Sequence, residues 1–292
     1  MKRLKSVIFI FHFDTKFFLC YKLFSKDLDG IHTMNVKLRK LIKNIPRAVK
    51  DPRQALELCW RRIFPFGIKP KDPEAYRIGS WSYGNIPRLP INEVFPGIEG
   101  IDVTLFKAFD RDLWTSLDTQ EILILSAIVK FLKVKNIFEI GTYDGNTTLN
   151  LAANSPVGAL ITTVDLPPDW NGKLELKVPE LSINVEERAS IGSQFINSDY
   201  SKKIRQIFGD SAKIDWSELS TPFDMVFIDG CHHYEYVKMD TQNSLRHLKA
   251  NGILIWHDYG MYKDVSKVVD ETAKKMEVKA IRGTRLAVGF TE

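Results

Sequence analysis

The chain has 292 residues, 44% hydrophobic and 26% charged, with a net charge of +5. This is the composition of a soluble globular protein, long enough for one large domain or two small ones. Three distant cysteines, Cys20, Cys59 and Cys231, exclude a disulfide framework or a zinc-knuckle spacing and fit a reducing, cytoplasmic setting. No internal repeat or low-complexity segment is present.

The positive charge is concentrated at one end. Residues 1–62 hold 15 Lys/Arg against 5 Asp/Glu, whereas the remainder holds 26 against 31. A basic arm can touch membrane surface or nucleic acid, but a solvated basic helix is the simpler reading. Residues 7–24 are rich in aromatics, yet their uninterrupted apolar run is only Val7 to Phe11. A membrane span needs about 20 mostly apolar residues, and no small-residue cleavage site follows. Residues 1–33 read as an arm or as an extension upstream of a start at Met34; both stay open. Residues 34–117 form a basic helical and irregular region, with helical stretches over 35–66 and a turn-rich connection over 67–100.

From residue 118 the pattern changes. Asp118 and Glu121 form an N-cap pair, and Ile122, Leu125, Ile128, Val129 and Leu132 follow at helical spacing. Strands and helices then alternate. Strands are expected over Ile137–Ile140, Ala159–Val164, Ile204–Phe208, Met225–Ile228, Ile253–Trp256, Val278–Ile281 and Leu286–Phe290. Helices are expected over Thr147–Ala153, Tyr234–Leu248 and Val265–Lys275. Such alternation implies an α/β fold with a mostly parallel sheet covered on both faces. The candidate polar residues fall at the C-terminal ends of strands, where open α/β sheets bind ligands. The long connection 167–203, with Trp170, Phe195 and Tyr200, suits a lid or a plain insertion.

Ile137-Phe138-Glu139-Ile140-Gly141-Thr142-Tyr143-Asp144-Gly145-Asn146-Thr147-Thr148 is a strand, a tight turn and a helix start. Glycine accepts backbone conformations closed to other residues and leaves room for a ligand. The spacing E-x-G-x-x-x-G differs from the G-x-G-x-x-G of dinucleotide-binding proteins. Asp165 lies 24 residues after Gly141, at the end of the second strand, where an acid can accept ribose hydroxyls. Asp210-Ser211 ends the third strand. Asp229-Gly230-Cys231-His232-His233 ends the fourth, and His257-Asp258 the fifth. Asp229, His257 and Asp258 offer carboxylate oxygens and one imidazole, a donor set suited to Mg²⁺, which could lower the pKa of a bound hydroxyl. His232, three residues past Asp229, is a candidate general base or a cap of the following helix. Cys231 reads as a small packing residue and His233 as a surface residue.

Taken together, these segments resemble class I S-adenosylmethionine (SAM)-dependent methyltransferases, more narrowly methyltransferase family 24 with its macrolide-sugar O-methyltransferases. The resemblance covers roughly residues 85–290 and makes 118–292 the methyltransferase domain. It implies a Rossmann-like seven-stranded sheet whose last strand is antiparallel. It implies a SAM site at Glu139, Gly141, Tyr143, Gly145, Asn146, Thr147, Asp165, Asp210 and Ser211. Gly141 and Gly145 would let backbone approach the methionine part, Glu139 would accept from its ammonium, and Asp210 would meet the adenine amine. Metal-dependent relatives place cation ligands at Asp229, His257 and Asp258, generally with oxygen donors at all three, so His257 departs from the pattern, and the alternative is that Asp258 accepts from His232.

The expected function is O-methylation of a small-molecule or glycan-type acceptor, with His232 and Asp229 catalytic. No nucleic-acid partner and no transmembrane span are expected, and a homo-oligomer is open. Two alternatives stand beside it. One is a nicotinamide-dependent oxidoreductase, against which the G-x-x-x-G spacing counts. The other is a SAM-binding protein without catalysis, against which His232 and Asp229 count.

Overall fold

In the computed structural model the described residues are 83–107, 116–170, 172–178, 190–219 and 222–292, all within one unit, Lys69–Glu292. The basic arm, Met34 and the helical stretches over 35–66 lie outside the described residues. Eight strands form one sheet: β1 (Arg88–Leu89), β2 (Asn136–Ile140), β3 (Leu160–Asp165), β4 (Ile204–Phe208), β5 (Phe223–Ile228), β6 (Leu248–Trp256), β7 (Glu277–Ile281) and β8 (Ala287–Phe290). Among the described residues five helices accompany them: α1 (Ile91–Val94), α2 (Thr119–Phe131), α3 (Asn146–Asn154), α4 (Tyr234–His247) and α5 (Lys263–Thr272). The sheet order is β1-β7-β8-β6-β5-β2-β3-β4. Every neighbouring pair is parallel except those made by β8, which runs antiparallel to β6 and β7.

The seven expected strands are all present, and an eighth joins them. The two-residue β1 pairs with β7 at the edge. Residues 83–100, expected to be irregular, thus contain a strand, the short α1 and a 3-10 turn at Ile98–Gly100.

Alternation along the strands explains the two cores. Ile137, Met225, Phe227, Ile253 and Ile255 pack with α2 and α3 residues such as Leu125, Ile128 and Leu151. Their neighbours Phe138, Val226, Ile228, Leu254 and Trp256 point to the other face and pack with Val237 of α4 and Val265, Val268 and Val269 of α5. A parallel sheet covered on both faces has this apolar run through each strand. Helix α2 begins with a complete capping box: Glu121 N–H donates to Asp118 Oδ1 (2.8 Å), and Asp118 N–H donates to Glu121 Oε2 (3.0 Å).

The chain leaves β2 for β3 on one side and returns to β5 on the other. Strand order therefore reverses between β2 and β5, and the crevice opens there. No helix among the described residues is long and apolar enough to cross a membrane.

Candidate active site

Gly141 occupies this reversal point. Its φ is +101°, and a Cβ there would lie 2.1 Å from the Asp229 carbonyl oxygen at the end of β5. Only glycine combines that conformation with that proximity. The turn beyond it is held by Asp165, whose Oδ2 accepts from the N–H groups of Thr142 (3.0 Å) and Tyr143 (2.8 Å). Tyr143 has φ of +48°, a conformation uncommon for a bulky residue and concentrated at functional turns.

The insertion clasps this turn from outside. Gly192 N–H donates to Tyr143 O and Gln194 N–H to Asp144 O, each at 2.9 Å. Phe195 lies where a Cβ on Gly145 would be, 2.5 Å from it. The second glycine of the motif thus makes room for Phe195. Helix α3 is fixed by a row of asparagines at four-residue spacing, which places them on one face. Asn150 accepts from Phe106 N–H (2.8 Å) and donates to Phe106 O (3.1 Å). Asn154 treats Thr104 in the same way, and Asn146 also donates to Phe106 O.

A cavity of about 310 Å³ opens over the strand ends. Six of the nine expected cofactor residues line it: Gly141, Tyr143, Thr147, Asp165, Asp210 and Ser211. Glu139, Gly145 and Asn146 do not. Glu139 is fully buried, accepts from Thr148 Oγ1 and leaves Oε1 without a partner. Burial pushes its carboxyl up to about 8 despite the Thr148 hydrogen bond. Asp210 accepts from Tyr236 Oη (2.8 Å), Glu175 N–H (2.9 Å) and Ala212 N–H (3.0 Å). Buried Asp240 behind it is pushed up to about 7, first by burial and then by Asp210, with nearby Ser211 opposing short of a formed hydrogen bond.

Across the cavity stand Asp229, His232, His257 and Asp258, all at its wall. His257 Nδ1 lies 2.8 Å from Asp229 Oδ1, and Nε2 lies 3.1 Å from Glu121 Oε2. Acceptors flank both ring nitrogens, so the ring donates twice as imidazolium. Burial works against that charge, but Asp229, Asp258 and Glu121 raise its pKa well above the usual histidine range. Arg285, from the β7–β8 connection, reaches the same Glu121. Its backbone N–H and Nε donate to Glu121 Oε1 at 2.7 and 3.0 Å, and Nη2 donates to Oε2 at 2.6 Å. Its Nη1 lies 3.2 Å from Asp258 Oδ1. Burial would raise the carboxyls of Glu121 and Asp258. For Glu121 His257 and then Arg285 outweigh it, holding the acid far below its usual range. For Asp258 the cation of His257, joined by His232 and Arg285, brings it to about 2.

His232 completes the wall. Its Nε2 lies 2.9 Å from Asp258 Oδ2, and its side chain is 38% exposed. Its ring stacks on Tyr262, with centroids 4.3 Å apart and planes 6° from parallel. His233, not His232, is the N-cap of α4, and no side-chain cap bond forms there. Asp258 has φ of +60°, a conformation that aspartate tolerates better than most residues. Cys231 lines the cavity as a protonated thiol, pushed up to about 11 by burial.

The sequence pointed to Asp229, His232, His257 and Asp258, and to a pairing of His232 with Asp258, but not to their partners Glu121 and Arg285. Glu121 was visible only as a helix cap and Arg285 not at all. The two lie 164 residues apart in sequence, and no local spacing links them.

Residues 138–259 match the profile of methyltransferase family 24, described as a methyltransferase domain. The matched span runs from β2 through the glycine turn to Tyr259. No curated protein matches the chain. Solved structures with some likeness include the Streptomyces achromogenes O-methyltransferase TomG, involved in tomaymycin synthesis and in complex with SAM. It is 16% identical, covers 69% of this chain and 97% of its own, and has a TM-score of 0.48. A Bacillus cereus O-methyltransferase in complex with SAH is 13% identical, with 79% and 96% covered and a TM-score of 0.47. The SAH-bound Podospora anserina methyltransferase PaMTH1 is 15% identical, with 77% and 98% covered and a TM-score of 0.47.

Proposed function

We propose that this methyltransferase transfers the methyl group of SAM to an oxygen of a small-molecule or sugar-type acceptor, with His232 as general base. One observation carries the reading. His232 stands at the cavity wall with Nε2 on Asp258, and Nδ1 has no hydrogen-bond partner among the described residues. A base held by one nitrogen and open at the other is the arrangement that proton removal requires.

The cavity's polar lining fits the cofactor. Asp165 would meet the ribose hydroxyls and Asp210 an adenine amine; both line the cavity. Gly141 and Thr147 bring backbone and hydroxyl to the methionine side. The sulfonium of SAM supplies an electrophilic methyl. What this chain adds is alignment and a proton acceptor. As the acceptor oxygen takes the methyl, its proton passes to His232 Nδ1. The imidazolium so formed is stabilised by Asp258, and Tyr262 keeps the ring in plane. Burial lowers the pKa of His232, but the hydrogen bond and charge of Asp258 raise it above the ordinary value. The base is therefore free only above that raised value, and activity climbs as pH rises through it. Scarce cysteines support a cytoplasmic setting.

Incubation of the protein with methyl-labelled SAM and a small-molecule extract tests this reading. Labelled product should form with the wild type and be lost with His232→Ala. An undiminished rate in that variant rejects the base.

A further inference from the structure

Two buried cations stand where the strand-end carboxylates converge. His257 and Arg285 have side-chain exposures of 4% and 5%. His257 Nδ1 lies 2.8 Å from Asp229 Oδ1 and 3.5 Å from Asp258 Oδ1, while Arg285 Nη1 lies 3.2 Å from that same Asp258 oxygen. Each carboxylate that could ligate an ion already touches a buried positive group.

The ligand set of Asp229, His257 and Asp258 does not fit a metal. Imidazole binds an ion through a nitrogen lone pair, and both nitrogens of His257 face carboxylates. A second grouping, Asp229, His232 and Asp258, has its ligand atoms within 4.8 Å of one another. An ion there would displace the His232–Asp258 hydrogen bond. It would also join a cluster in which three carboxylates already meet two cations, leaving excess positive charge where water screens poorly.

We propose that Arg285 and His257 are built-in cations that take the place of a divalent ion, pairing with Asp229 and Asp258 and holding them fixed so that the site works without metal. Glu121 is the positioning residue for both, since it binds Arg285 through three nitrogens and His257 through one. Glu121, Asp229 and Asp258 against the two cations leave a single negative charge. His232 neutralises it when it takes the acceptor's proton. The acceptor follows from this: without an ion to chelate, it need not present two adjacent oxygens, and one hydroxyl suffices. The inference rests on the reading of the site given above.

Binding of Mn²⁺ tests it with neither SAM nor acceptor present. The full-length protein is titrated with Mn²⁺, and the free ion is counted by electron paramagnetic resonance. The wild type should leave Mn²⁺ free, and Mg²⁺ should not move its thermal midpoint. Arg285→Lys, which keeps the charge, should behave likewise. Arg285→Met should bind Mn²⁺ at least about tenfold more tightly than the wild type. His257→Asp, which removes a cation and adds an oxygen donor, should bind Mn²⁺ and gain thermal stability from Mg²⁺.

Saturable Mn²⁺ binding by the wild type that Asp258→Asn abolishes overturns the proposal, and so does a folded His257→Asp protein that ignores Mn²⁺. If the variants do not fold, the wild-type titration still decides. Calorimetry with SAM on the same preparation separates the two ideas. Mn²⁺ binding alongside SAM binding overturns only the built-in cations, whereas failure to bind SAM overturns the methyltransferase reading itself.

Discussion

The two walls of the cavity are held in different ways. On the wall proposed for the cofactor, the glycine turn is tied by backbone N–H groups to Asp165 and clasped by Gly192 and Gln194, and α3 is fixed by neutral asparagines on the backbone of Thr104 and Phe106. On the wall proposed for catalysis, Glu121, Arg285, His257, Asp229 and Asp258 are held by one another's charges. Hydrogen bonds to backbone groups each contribute modestly and fail one at a time. Buried ion pairs fail together, because removing one member leaves its partners uncompensated. The cofactor wall should therefore tolerate single changes, and the catalytic wall should not.

The largest effect is expected at His232. Loss of a general base costs about 10²–10⁴-fold in rate, so His232→Ala should abolish labelled methyl transfer while SAM affinity by calorimetry stays unchanged. Asp258→Asn should shift the acidic limb of the pH–rate profile to lower pH, because the group that raises the His232 pKa is gone. A limb that does not move would remove Asp258 from the mechanism.

Next comes Glu121, which accepts from His257 and Arg285 with no exposure of its own. Glu121→Ala strands two buried cations and should destabilise the fold by about 3–5 kcal/mol in urea titrations. A loss below that of a simple helix cap would contradict the shared-charge account.

The difference between the walls also explains what was legible in the sequence. Each residue proposed for the cofactor sits in a short segment in which an apolar strand ends in an acid or a glycine, so the order Gly141, Asp165, Asp210 can be read by eye. Three expectations in that group led elsewhere for packing reasons. Glu139 points into the core beneath Thr148, Gly145 makes space for Phe195, and Asn146 turns to Phe106. The catalytic wall depends on contacts between distant elements. Asp118 and Glu121 looked like a helix cap and are one, but the reach of Glu121 to Arg285 exists only once α2 packs over the β7–β8 connection. The edge strand β1 was hidden for a related reason: two residues carry no periodicity.

Glu139 is an acid buried beneath the glycine turn without a charge partner among the described residues, and it sharpens the contrast. With its folded pKa raised from 4.5 to about 8, the native state binds more protons than the unfolded state between those values. Stability should therefore fall as pH rises from roughly 4.5 to 8. Glu139→Gln should raise stability at pH 8 by about 1–3 kcal/mol and leave it unchanged near pH 4. Equal effects at both pH values would show that Glu139 is ionised in the fold. The smallest effect is expected for Asn150→Ala, about 1–2 kcal/mol from lost hydrogen bonds to Phe106. SAM binding should survive it; its loss would mean that the asparagine row belongs to the cofactor site.

The most direct test of the whole account is calorimetry of the wild-type protein with SAM and, separately, with NAD⁺. The glycine turn, Asp165 and Asp210 predict saturable binding of SAM at one site per chain and no heat from NAD⁺. Binding of NAD⁺ in preference to SAM, or of neither, would contradict the assignment of this cavity to a methyl donor.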